Sequence, residues 1–414
     1  MESAGTLHGQ LQRGLGRAAR RAADRRGAGE YVYDCIRRDP RWDRRVESRG
    51  LYYARLMIDL ELPTGPVAEA LFDPSGPDAA DPDGAGVELP LTVLGDLVRL
   101  SRHEAAGVLR RYAEEGPHWF DAVIEMVELR DPSLAIGLDR LVTARCDDAE
   151  LDDLVAGPSN PVIDVWADRQ PRVAAAVDRR RSVVRRRRPS GVPADRPVRS
   201  EDELLALARS GADGAVAAIF ELGRRRAPGL LDLAEEVLPQ RRDSRWGGVV
   251  RRALGEYGPE ALPRARAWVM ARGACADMGL RLLARHGTRQ DIPLLMRELE
   301  DALGRREWGE AAGPIEGLGR LRAGEAVPLL KNAWTESTYA LLRPRVLTAL
   351  TRTAPHTAES FTFEGLWDCE EGVREIAAQT APLTPESRVR LQRLHHDTAE
   401  EPGVRATAAA RLVG

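Results

Sequence analysis

Apolar residues along the second half of the chain recur at helical spacing, in runs broken by glycine. The stretch WGGVVRRALGEYGPEALPRARAWVMA, from Trp246, shows the pattern: one apolar helical run, then Gly255, a short turn, and a second run. Glycine returns at a constant shift of 32 residues, at Gly223, Gly255, Gly287 and Gly319. Leu222, Leu254 and Leu318 precede three of them, and Leu230, Leu262 and Leu294 follow the first three by seven. A glycine just past a helix supplies the left-handed backbone that other residues adopt at a cost, so a helix, a turn and an antiparallel partner are predicted as the repeating module.

The first half carries a looser copy, in which a shift of 29 maps Leu91, Leu94, Val98, Leu100, Leu109 and Tyr112 onto Phe120, Val123, Val127, Leu129, Leu138 and Leu141. Asp39-Pro40 and Asp131-Pro132 read as helix starts, with Asp accepting from free amides and Pro at the first helical position. From Asp39 the stripe Trp42, Val46, Tyr53, Met57 and Leu60 predicts one helix ending before Pro63. No stretch alternates with period two, so the expected fold is all-α with essentially no sheet.

The segments VAAIFELGRRRAPGLLDLAEEVL, VVRRALGEYGPEALPRARAWV, GLRLLARHGTRQDIPLLMREL and PIEGLGRLRAGEAVPLLKNAW resemble HEAT-like repeats, the helical hairpins that stack into α-solenoids. The resemblance covers Glu201 to about Leu350 well, the rest to Gly414 moderately and Leu89 to Arg145 weakly. It implies a HEAT- or armadillo-like superhelix of stacked antiparallel pairs. As a guide to activity it is poor, because such arrays mostly serve as binding scaffolds.

Six segments are expected: an arginine-rich flexible arm (1–29), aromatic-rich entry helices (30–72), a Pro/Gly/Asp loop (73–86), N-terminal helical repeats (87–177), a basic linker (178–200) and a C-terminal repeat array (201–414). The arm has Leu7, Leu11 and Leu15 at the spacing of one helix face.

Charge changes this picture in one place. The 414 residues carry a net charge of −3, with sixty arginines and a single lysine, Lys331, a skew typical of a GC-rich, bacterial genome. Residues 172–199 hold ten arginines against Asp178 and Asp195, a net +8 that leaves −11 for the remainder. No run approaches 18 apolar residues and the first thirty lack the apolar centre of a secretory signal, so a soluble cytoplasmic protein is expected. Cys35, Cys146, Cys275 and Cys369 are scattered without metal or disulfide spacing and are expected to be buried, reduced thiols.

Most catalytic signatures are missing from the sequence. Lys331 has no glycine-rich loop ahead of it, GLGR at Gly317–Arg320 has no strand before it, and neither G-x-S-x-G nor H-E-x-x-H occurs. His395 and His396 are neighbours, which on a helix diverge by about 100° and suit shared metal ligation poorly. Some HEAT-like proteins are DNA glycosylases that use aromatic residues with an aspartate a helical turn away. None of the eight tryptophans here has that spacing, and Trp367 with Glu371 is the only acidic approximation.

Three stretches stand out as candidate sites. The entry module sets Tyr31, Tyr33, Trp42, Tyr52 and Tyr53 among arginines that include Arg45, residue types that dominate binding hot spots; the competing reading is a terminal cap with Trp42 and Tyr53 inward and arginines outward. GPHWFD gathers His118, Trp119, Phe120 and Asp121, either a partner contact or a helix start with Asp121 in its first turn. The strap DRRRSVVRRRRPS offers Arg179, Arg180, Arg181, Arg185, Arg186, Arg187 and Arg188 to phosphates, to an acidic partner, or to the acidic surface of the protein itself. No aromatic lies between Arg172 and Arg199 to stack on a base.

The leading expectation is a non-enzymatic scaffold, without a cofactor or a membrane span, that binds a protein or peptide on its concave surface. A nucleic-acid-binding protein, related to the HEAT-like glycosylases, is the alternative. A third reading follows from the HEAT-like phycobilin lyases, in which the solenoid cradles a small prosthetic group; His118, Asp121 and Tyr52 are then the polar contacts.

Overall fold

The computed structural model describes residues 1–73, 86–187, 199–212, 214–239 and 245–413. Among them there are 26 α-helices, four single-turn 3-10 helices and no strand. The chain divides into two compact units, one made of Met1–Val192, Thr338–Leu341 and Ser360–Gly414, the other of Pro193–Ser337 and Leu342–Glu359.

The first unit opens with α1 (Leu7–Gln12), α2 (Gly16–Ala23), α3 (Ala28–Arg38), α4 (Gly50–Asp59), α5 (Gly65–Phe72) and α6 (Glu88–Arg99). It continues through α7 (Glu104–Glu115), α8 (Trp119–Glu128), α9 (Leu138–Arg145), α10 (Asp148–Leu154), α11 (Pro161–Arg169) and α12 (Pro171–Arg187). The second unit holds α13 (Glu201–Ser210), α14 (Ala215–Arg225), α15 (Pro228–Val237), α16 (Arg245–Leu254) and α17 (Leu262–Ala271). It also holds α18 (Ala276–His286), α19 (Ile292–Arg305), α20 (Trp308–Leu321), α21 (Val327–Glu336) and α22 (Arg343–Thr353). After α23 (Pro355–Gly365) the chain returns to the first unit with α24 (Glu371–Thr380), α25 (Pro385–His396) and α26 (Pro402–Val413).

Within the second unit each helix packs on its sequence partner, α13 on α14, α17 on α18 and α19 on α20. Later helices of the pairs also pack on one another, α14 on α16, α18 on α20 and α20 on α22. Helix pairs whose apolar stripes close on their neighbours are what the repeat pattern predicted.

The repeat glycines serve a different purpose from the predicted one. None of Gly223, Gly255, Gly287 and Gly319 has a left-handed backbone. Gly223 and Gly319 lie inside α14 and α20, where a Cβ would come within 2.9 Å of the Ala253 Cβ and 2.7 Å of the Ala349 Cβ. They let successive helices approach backbone to backbone. The left-handed positions at the ends of α14, α17, α19 and α20 are instead taken by Arg226, Arg272, Arg306 and Arg322.

Three further expectations are corrected. Residues 1–29 are not a flexible arm: α1 and α2 pack with Leu11 and Leu15 fully buried, and Arg17 pairs with Glu364 at 2.9 Å. No helix starts at Asp39 or Asp131. The Asp39 carboxylate is drawn into bonds from Arg41 at 2.7 and 2.8 Å, its φ is 37°, and the helix waits until Gly50. Asp131 accepts from the amide and hydroxyl of Ser133, closing a turn ahead of α9. The single array over 201–414 is broken as well, because α24–α26 build on the N-terminal helices, where the Cys369 amide donates to the Gly14 carbonyl at 2.9 Å.

Arginines bind one module to the one before it. Arg285 donates to the Gly255 carbonyl at 2.6 Å and Arg320 to the Ala284 carbonyl at 2.8 Å, capping the ends of α16 and α18. In the first unit Arg145 reaches the Glu114 carbonyl at 2.9 Å and Arg172 the Thr143 carbonyl at 2.7 Å. The last carbonyls of a helix have no partner within it, and a charged donor satisfies them well.

Two substitutions separate close packing from backbone strain. Gly319→Ala drives a methyl into Ala349 and should lower stability by about 1–3 kcal/mol. Arg322→Gly relaxes a left-handed arginine and should raise it by up to about 1 kcal/mol. Urea unfolding of the full chain reads both, and equal effects of the two would contradict the assignment.

Candidate functional site

The entry module is mostly core. Tyr33 donates to the Pro63 carbonyl at 2.8 Å, Tyr52 to Leu15 at 3.0 Å and Tyr53 to Leu11 at 3.0 Å, all three rings being buried. Tyr33 and Tyr52 therefore offer a partner nothing, which overturns the expectation for both. Tyr31 is half-buried and stacks on His8 at 5.0 Å, while the His8 ring contacts Asp34 at 3.0 Å. Trp42 faces outward, not inward as a cap would have it: it is 47% exposed, its ring 4.8 Å from Tyr339. Arg45 is exposed.

Two arginines of the module turn inward, where the terminal-cap reading would have the arginines outward. Arg41 is buried against Asp39, and Arg49 is fully buried against Glu47 at 2.7 Å. Glu47 also accepts the amides of Trp42, Asp43 and Ala340, each at 2.8 Å, and Arg49 donates to the carbonyls of Gln12 and Thr338. Three chain segments thus meet on one buried ion pair. Nothing in the spacing of RRVESR announces it.

His118 precedes α8 as its cap residue, and Asp121 sits in the first turn. Burial raises the Asp121 carboxyl above the usual carboxylate range, with His118 pulling it down. Trp119 and Phe120 meet edge to face at 5.6 Å, and Arg145 lies over the Trp119 ring. These residues form a half-buried helix start.

The strap is helical through Arg187, so the expected linker begins later than Asp178. Arg179 is held by Asp152 at 2.7 Å and Arg180 by the Val155 carbonyl, so two of its arginines lie on the α10 module. Arg181 is 74% exposed and lies 3.6 Å from Asp178. The expectations for Arg185, Arg186 and Arg187 concern side chains outside the described ones, and Arg188 lies outside the described residues.

Between α8, the 156–160 loop and α12 runs a groove of about 380 Å³. Phe120, Ile124, Val127, Leu154, Ile163 and Val177 form its apolar wall, and Ile124 is 38% exposed. Arg130, Arg180 and Arg181 stand on its rim together with Glu128, Asp153 and Asp164.

A second, more polar cleft of about 420 Å³ opens within the same unit, lined from α6 by Thr92, Asp96 and Arg99 and from the starts of α24 and α26. Here Arg374 grips both oxygens of Glu400 through Nε and Nη2, at 2.8 and 2.7 Å, and donates from Nη1 to the Asp368 and Cys369 carbonyls. Burial pushes the Glu400 carboxyl up, but Arg374 and Arg55 bring it down to about 2. Asp96, buried and bonded to Arg99, is held above the ordinary range by that burial. Behind it Glu125 accepts from Thr92 at 3.0 Å, and burial raises its carboxyl to about 7. Sequence reasoning missed this cleft, because its residues come from segments almost three hundred positions apart and share no motif.

All four cysteines are buried and free, and burial lifts the Cys35 thiol to about 12 and the Cys146 thiol to about 11. Among the described residues no group of three or more His, Cys, Asp and Glu is placed to hold a metal ion, and no helix is long and apolar enough to cross a membrane. In comparisons with family models, curated proteins and solved structures, nothing matches the chain.

Glu125 makes stability depend on pH with a definite sign. Its folded carboxyl titrates near 7 against an ordinary 4.5, so the folded state holds the proton more tightly and stability falls as pH rises between those values. Glu125→Gln keeps an acceptor for Thr92 and removes the penalty. It should gain on the order of 3 kcal/mol over the parent at pH 8 and little at pH 5. Urea midpoints across that range check this, and parallel profiles would refute it.

Proposed function

We propose that this protein is a helical-repeat scaffold that binds a partner protein, taking an extended or helical segment of it into the groove between α8 and α12. The observation that carries the reading is the groove itself: an apolar wall with an exposed Ile124, bordered by charges of both signs. Apolar anchors inside a polar rim are the anatomy of a protein interface. The likeness of the helix pairs to HEAT repeats supports the same reading, since stacked pairs present long surfaces and seldom carry chemistry. The strap adds to it by placing Arg180 and Arg181 on that rim, next to the basic continuation of α12.

A photo-crosslinking residue at Ile124 in the full chain, expressed in its native host, should capture one stoichiometric protein. Ile124→Asp should abolish co-purification of that protein while leaving the thermal midpoint in place, since the side chain is already exposed. Absence of any captured protein overturns the reading. So does tight binding of duplex DNA at about 50 mM salt with a steep salt slope, which assigns the strap to phosphate instead.

A further inference from the structure

We propose that a small recess walled by α2, α4 and α25 binds a halide ion between the guanidinium groups of Arg390 and Arg55. Ala19, Trp367 and Asp368 are among its other walls, and the exposed Asp59 borders it.

Arg390 carries a buried charge that no carboxylate takes up. It is 9% exposed, has no ion pair among the described residues, and donates from Nε to the Leu366 carbonyl at 3.0 Å. Neither of its terminal amino groups finds an acceptor among those residues, yet neither is sealed off, and the side chain lines the recess. The Trp367 ring lies 5.4 Å from its Cζ but is shared with Arg20, at 5.2 Å. A buried cation without a counter-ion is costly, so such a group either gives up its proton or gains an anion. Burial, then Arg55 and Arg374, bring the Arg390 pKa down to about 9, and Glu400 and Asp59 oppose them less. At neutral pH the proton therefore stays. An anion is what remains to offset the charge.

Arg55 supplies a second donor from the facing wall. Its Nε and Nη2 are spent on Asp397 and Glu400, which leaves Nη1 without an acceptor among the described residues. Asp59 and Asp368 pair with neither arginine there, and Asp368 turns one oxygen to the Glu370 amide at 2.9 Å.

Size narrows the anion to a halide. The recess, about 10 Å³, admits one water-sized body. Chloride is only slightly larger than water and carries its single charge without direction, whereas sulfate and phosphate are too bulky. Seated there, it ties α25 to α4 beside the ion pairs of Arg55.

Crystals of the full chain soaked in sodium bromide test this by anomalous scattering, and a peak should lie between Arg390 and Arg55. In solution, chloride or bromide should raise the thermal midpoint by roughly 2–4 °C over sodium gluconate of equal ionic strength. Arg390→Gln should abolish both the peak and that difference. A water without bromide signal in the recess overturns the proposal, as do peaks confined to exposed arginines, which mark an adventitious ion only. An equal halide shift in a folded Arg390→Gln chain also overturns it. Should that variant fail to fold, Ala19→Leu fills the recess without altering charge, and an undiminished peak and shift in it overturn the proposal. None of this rests on the α8–α12 groove, so Ile124→Asp should leave both readouts unaltered.

Discussion

Every helix ends in carbonyls that it cannot satisfy itself, and in this chain the arginines of a later module reach back to take them. Arg285 on Gly255, Arg320 on Ala284, Arg145 on Glu114 and Arg172 on Thr143 repeat one device in both units. Each bond does two things: it completes a helix end that would otherwise need water, and it fixes the spacing of one pair on the next. A guanidinium suits the task because its several donors spread over a plane and its charge survives partial burial. Lysine, with one compact and heavily hydrated head, would serve poorly. The abundance of arginine is thus largely structural, whatever genome composition made it available.

Buried charge closes the first unit where repeat packing alone does not. Arg49 with Glu47 and Arg374 with Glu400 are enclosed pairs, and backbone from Gln12, Thr338, Ala340, Asp368 and Cys369 meets most of their remaining donors and acceptors; the buried Arg49 Nε is left without a hydrogen-bond partner among the described residues. Such pairs recover their desolvation cost only when most of these groups are satisfied. Arg55, bonded to both Asp397 and Glu400, extends the network toward the cleft. Asp96 and Glu125, nearby, are raised instead by their own burial.

How far this was legible follows from what each signal measures. The apolar period and the glycine shift report a local geometry, and both led correctly to helix pairs without sheet. They could not distinguish a glycine needed for a turn from one needed for close packing, because either leaves the same letter at the same place; only the Ala253 and Ala349 neighbours decide it. Asp39 and Asp131 look like caps, but a neighbouring arginine and serine compete for each carboxylate and win. Tyr33, Tyr52 and Tyr53 read as a binding surface because composition is blind to the inward carbonyls of Pro63, Leu15 and Leu11. The groove beside Phe120 was within reach of sequence, since its walls come from neighbouring modules. The cleft was not, because its walls come from opposite ends of the chain.

That joining of opposite ends has a consequence for how the protein is made. Arg17 meets Glu364 and Arg55 meets Asp397 across separations of 347 and 342 residues. Contacts so distant in sequence form slowly, and none of them exists while the ribosome is still producing the second unit. The N-terminal helices must therefore wait, with Cys369 not yet docked beside Gly14 and the Arg49 pair without its Thr338 and Ala340 partners. The first unit begun is the last one finished, and during synthesis its open edge is the part of the chain most in need of protection.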